Sequence, residues 1–94
     1  MNEDFLKSQG FQPVSEWEIS RAEADGYPSN NLIGSRSGIK VEWLLYSSEE
    51  DAKACSEVAW KNGLERAKEG YDFGYQCPGA IRVIDGLGWE VVIP

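Results

Sequence analysis

The groups in this chain that could do chemistry are thiols and carboxylates. It carries two cysteines, Cys55 and Cys77, sixteen Asp and Glu, and no histidine. Without histidine it lacks the side chain whose ordinary pKa lies closest to neutrality. A nucleophilic cysteine needs a lowered pKa and usually a base beside it, and no imidazole exists to serve. Cys55 falls on the apolar stripe of a predicted helix and reads as core. Cys77 precedes Pro78 in a loop and is the better-placed nucleophile of the two. Two separated cysteines and no His do not complete a zinc site. Nothing selects two of the carboxylates for a glycosidase-like pair, and there is no phosphate loop, dinucleotide fingerprint or nucleophile elbow. These absences predict a protein that is not an enzyme and uses no metal or cofactor.

The charge is the strongest compositional signal. Sixteen carboxylates face nine Lys and Arg in 94 residues, a formal charge of −7. That balance argues against direct nucleic-acid binding, which needs a basic footprint, and against an anionic membrane surface. It favours solubility and, where carboxylates cluster, a basic partner. Two cysteines fall short of the disulfide framework usual in a small secreted domain. The opening Met1-Asn2-Glu3-Asp4-Phe5 has no basic or apolar signal-peptide region. A reducing, cytoplasmic location is the expectation.

The elements that must position these groups can be read from pattern. A length of 94 residues predicts one domain spanning the chain, 1–94. Asn2–Ser8 is expected to form a short helix stopped by Gly10. Ser15–Ala24 is ambiguous. Trp17 and Ile19 alternate with Glu16, Glu18 and Ser20, which suits a half-buried strand; Arg21-Ala22-Glu23-Ala24 prefers helix. Strand is favoured, with Glu16 and Glu18 projecting to one side. Leu32–Ser35 and Ile39–Tyr46 predict a hairpin turning at Gly38, where a positive φ would suit glycine. Ile39, Val41, Trp43 and Leu45 would be its core face. Ser47–Lys68 predicts the long helix, with a capping box from Ser47 to Glu50 and Glu49, Glu50 and Asp51 favoured at its N-terminus by the dipole. Gly63 would weaken it and Gly70 would end it. Ala80–Asp85 and Trp89–Ile93 predict a second hairpin. The sum is an α+β fold: an antiparallel sheet of four to five strands, one long helix packed on a face, and a short N-terminal helix.

Two sets of residues are candidates for partner binding. Tyr71, Asp72 and Tyr75 lie in the aromatic, glycine-rich stretch Tyr71–Gly79, which can form a rigid recognition surface. The same stretch can be a packed connection with Phe73 as a plug, and the two readings can coexist. Glu16, Glu18, Glu49, Glu50 and Asp51 could face an Arg- and Lys-rich surface, although capping and a solvated face also account for them.

At the level of class, the chain resembles the small acidic proteins that phages encode against bacterial defence systems, anti-CRISPR proteins among them. The resemblance rests on a compact acidic domain, on Glu16, Glu18, Glu49, Glu50 and Asp51, and on the missing catalytic set. It implies a stoichiometric inhibitor in the host cytoplasm. Such an inhibitor covers the basic nucleic-acid-binding surface of a host protein or ribonucleoprotein complex. A second reading is a small-ligand binder using Tyr71–Gly79. For an anionic ligand it would need Arg36, Arg82 or Lys40 to converge against the overall charge.

Overall fold

The computed structural model describes residues 3–94. Three helices and five strands follow in the order α1 (Glu3–Ser8), β1 (Gln12–Pro13), α2 (Glu16–Ala24), β2 (Leu32–Ser37), β3 (Glu42–Tyr46), α3 (Glu49–Lys68), β4 (Ile81–Ile84) and β5 (Gly88–Ile93). The strands form one antiparallel sheet in the order β1-β2-β3-β5-β4. The α+β class, the long helix and the short N-terminal helix are as the pattern implies. Asn2, where the first helix was expected to start, lies outside the described residues.

Helix α3 leaves β3 and delivers the chain to the far edge of the sheet as β4. The β4–β5 hairpin then returns β5 into the gap beside β3, in register Trp43↔Val92 and Leu44↔Val91. One layer of core lies between the sheet and helices α2 and α3. It joins Ala22, Leu32, Leu44, Tyr46, Ala52, Cys55, Ala59, Val91 and Ile93. On the opposite face Leu6, Phe11, Leu45 and Leu87 close a smaller cluster with Ile33, Trp43 and Ile84.

The segment Ser15–Ala24 is a helix, not a strand. Ser15 is its N-cap: its hydroxyl accepts from the Glu18 N–H, and the Glu18 carboxylate accepts from the Ser15 N–H. This reciprocal pair satisfies two donors that a helix start otherwise leaves open. It outweighs the alternation of Trp17 and Ile19, because Trp17 needs no burial. Its ring is 66% exposed and lies under the Arg21 guanidinium at 5.2 Å.

In the first hairpin the expected face is buried at Val41 and Leu45, Ile39 departs from it, and the other face is core as well. Strand β3 begins at Glu42, Ile39 is fully exposed in the connecting loop, and Leu44 and Tyr46 face the helices. Leu45 is equally buried, but against α1 and Phe11. Alternation could not choose between the faces because both are covered. Gly38 is needed for a reason other than positive φ: a Cβ there would stand 2.6 Å from the Trp43 ring. The α3 cap also sits one residue later than expected, with the Ser48 hydroxyl accepting from the Asp51 N–H. Glycine ends the helix as expected, Gly70 taking φ +90°.

Gly63 is buried on α3 against Pro78, which docks the Tyr71–Gly79 connection onto the helix. An added Cβ would lie 2.7 Å from the Pro78 ring. Alanine ordinarily gains about 1 kcal/mol over glycine in a helix. Here the rigid ring cannot turn aside, and overpacking of this kind costs about 1–3 kcal/mol. Gly63→Ala is therefore expected to lower the urea midpoint rather than raise it.

Candidate protein-binding surface

The structure divides the sequence-predicted residues among three places. Glu16 and Glu18 lie in the first turn of α2. At helical spacing, two residues apart puts them on nearly opposite sides, so the expected row of carboxylates does not form. Glu16 points outward. Glu18 turns to the sheet, accepting from the Ser35 hydroxyl at 2.6 Å as well as from Ser15. Partial burial pushes its pKa up, but the hydrogen bonds from Ser35 and Ser15, with Arg21 nearby, outweigh this and hold it below the usual carboxylate range.

Glu49, Glu50 and Asp51 lie at the N-terminus of α3. Glu49 pairs with Lys53 at 2.9 Å, and Asp51 accepts from the Asn31 amide at 2.7 Å. Tyr71, Asp72 and Tyr75 follow the other end of that 20-residue helix, about 30 Å away at 1.5 Å per residue. Tyr71 donates to the Lys40 carbonyl, and Asp72 accepts from the Gly74 N–H within its own loop. Phe73 is half-buried against Tyr71, while Tyr75 is fully exposed. Phe73 and Pro78 pack as a connection, and Tyr75 projects into solvent. The eight residues do not make one patch.

A different set of carboxylates does converge. Asp25 is the C-cap of α2, Glu69 is the C-cap of α3, and Glu65 lies in the last turn of α3. The three line one recess of about 350 Å³ with Tyr27, Asn62, Arg66 and Pro94. A second recess shares Asp25, Tyr27, Arg66 and Pro94 and adds Glu18, Arg21 and Glu42. Together they form a cleft between α2 and α3, with five carboxylates and two guanidinium groups. Arg21 is committed to Glu42, and Glu65 is paired with Lys68 at 3.3 Å. Among the described residues, Asp25 and Glu69 have no ion-pair partner. The floor is fixed by Tyr27, buried and accepting from the Asn62 amide at 3.1 Å.

No protein-family model, curated protein or solved structure matches this chain.

The cleft must therefore be read from its own physics. Helix C-termini carry the negative end of the dipole and favour cations. Asp25 and Glu69 stand where the dipole opposes them and, among the described residues, have no ion pair on their own helix, so helix stability does not account for them, whereas Glu65 is offset by its i,i+3 pair with Lys68. Helix stability does account for Glu16, Glu18, Glu49, Glu50 and Asp51. The signal was present in the sequence: Glu65 and Glu69 are spaced i,i+4 just before the helix-ending Gly70. What sequence does not show is that α2 ends beside them, because the alternation of Trp17 and Ile19 favours a strand there.

The thiols occupy contrasting positions. Cys55 is fully buried under Tyr46, and burial pushes its pKa up to about 11, so it is protonated and inert near neutrality. Tyr46 donates its hydroxyl to the Pro28 carbonyl at 2.7 Å. Cys77 is exposed. Both thiols are free. Among the described residues no helix is long and apolar enough to cross a membrane.

The Glu18 network has a consequence for stability against pH. A carboxylate whose folded pKa is depressed stabilises the fold above its unfolded pKa, and that contribution is lost as pH falls through the folded value. Glu18→Gln is expected to lower the urea midpoint at pH 7. The difference from wild type should shrink as pH drops below the usual carboxylate range. A gap that persists undiminished at pH 2 would assign the effect to packing instead.

Proposed function

We propose that this protein is a non-enzymatic, protein-binding inhibitor that docks its α2–α3 cleft onto a basic surface of a nucleic-acid-handling host complex, in the manner of phage anti-defence proteins of the anti-CRISPR kind. The observation that carries the reading is the convergence of Asp25 and Glu69, with Glu65 beside them, at two helix C-termini, where the charges of Asp25 and Glu69 work against the helices that bear them. A Lys or Arg side chain entering the cleft would meet these carboxylates together with the negative ends of both dipoles. The surplus carboxylates elsewhere would steer the encounter. Trp17 near the α2 N-terminus and Tyr75 beyond α3 would supply exposed aromatic contact of the type that dominates binding energy.

Affinity capture with the whole chain, followed by mass spectrometry, tests the reading. Recovery of a nucleic-acid-handling protein is expected, with association falling as salt rises, because exposed charge interactions are screened over roughly 8–10 Å at physiological ionic strength. Asp25→Asn combined with Glu69→Gln should reduce that recovery sharply. Glu49→Gln combined with Glu50→Gln removes the same charge and should reduce it far less. Equal losses, or no such partner, would overturn the proposal.

The same substitutions separate binding from folding. Relief of an unfavourable dipole interaction means that Asp25→Asn with Glu69→Gln should leave the thermal midpoint unchanged or raised. A lowered midpoint would show that the two carboxylates serve the fold.

A further inference from the structure

Among the described residues, the face of the sheet opposite α2 and α3 carries one buried charge. Glu90 on β5 is 3% exposed and is met from both sides. Arg36 on β2 reaches across β3 to place its Nε and Nη2 each 3.0 Å from Glu90 Oε2. Arg82 on β4 approaches the same carboxylate at 3.3 Å and 3.5 Å. Two guanidinium groups thus share one carboxylate and leave a net positive charge on a chain whose total is −7.

The two arginines are not equivalent. Arg36 is committed: its guanidinium lies 4.1 Å over the Trp43 ring and 5.5 Å over Phe11, and its contacts to Glu90 are close. It makes the closer contacts to the buried carboxylate. Arg82 is 65% exposed, and its contacts are longer than the usual 2.7–2.9 Å of a charge-assisted hydrogen bond. Its planar fork of donors is therefore open to another oxyanion. Beside it lies a concave recess of about 270 Å³ lined by Arg36, Trp43, Gln76, Arg82, Glu90 and Val92. Trp43 and Val92 are directly opposed across β3 and β5 and supply an apolar wall. Gln76, from the Tyr71–Gly79 connection, supplies an amide at the rim.

We infer that this recess binds a small organic anion, one carboxylate or phosphate on a compact apolar body, with Arg82 holding the oxyanion and Trp43 and Val92 receiving the body. The recess is below the size of typical drug-binding pockets, which restricts it to small ligands. It lies on the other side of the sheet from the α2–α3 cleft and does not depend on what that cleft binds.

Titration of the full ¹⁵N-labelled chain with benzoate, followed by NMR, tests the inference. Saturable shifts of the Trp43 indole N–H and the Arg82 Nε–H are expected. Arg82→Gln should weaken binding about tenfold, the equivalent of one charge-assisted hydrogen bond. Lys61→Gln, which changes the net charge equally on exposed α3, should leave it within about twofold. Glu90→Gln removes the competing carboxylate and should tighten binding where that variant folds; the Arg82 comparison stands without it. No saturable shift, or equal weakening by Arg82→Gln and Lys61→Gln, overturns the inference. Inorganic phosphate, which has charge but no apolar body, should bind more weakly than benzoate. Equal or tighter phosphate binding overturns the role given to Trp43 and Val92.

Discussion

The fold depends on strand β3 being buried on both faces. Leu45 and Tyr46 are adjacent in sequence, point to opposite sides, and are each without solvent exposure. Complete burial of a large apolar side chain is worth about 1.5–3 kcal/mol, so two neighbouring residues anchor two separate layers. Tyr46 adds a hydrogen bond to the Pro28 carbonyl, which ties the loop after α2 to the centre of the sheet. Helix α3 can lie close above because its inward stripe is Ala52, Cys55, Ala59 and Gly63. The last of these is small enough for Pro78 to sit against it.

That arrangement sorts the acidic residues into groups with different physical meaning. The carboxylates at the N-termini of α2 and α3 stabilise the helices that carry them. Asp25 and Glu69 at the C-termini do not, and the α2–α3 packing brings them to one cleft with Glu65. Glu90 belongs to neither group. It is buried on the other face and is matched by more positive charge than it needs. The overall charge of −7 therefore hides a molecule with an acidic cleft on one side of its sheet and a locally cationic recess on the other.

Several elements were legible in the sequence because their causes are local. The Ser- and Glu-rich start of α3, its ending at Gly70, and the alternation of Trp89, Val91 and Ile93 each arise from neighbouring residues. The same kind of cue was available for α2, since Ser15 and Glu18 have capping-box spacing. It was masked by two residues, Trp17 and Ile19, whose alternation also fits a strand. A strand over Ser15–Ala24 has no helix C-terminus at Asp25, and the cleft depends on that terminus. Of the residues expected to bind a partner, Tyr75, Glu16 and Glu50 are exposed, and Tyr75 is the large aromatic among them. Glu18 and Asp51 are held by Ser35 and Asn31, which lie far from them in sequence.

Composition, spacing and turn residues by themselves determined the α+β class, the long helix, the second hairpin and the acidity, because these follow from short-range sterics, capping and hydrophobic period. Tertiary structure alone decided which face of β3 meets the helices, since Leu44 and Leu45 are equally apolar and both faces find cover. It alone brought Asp25 beside Glu69, and Arg36 beside Arg82. Electrostatic character depends on distance in space, and residues 44 and 46 positions apart in the chain acquire a common field only once the sheet and helices have packed.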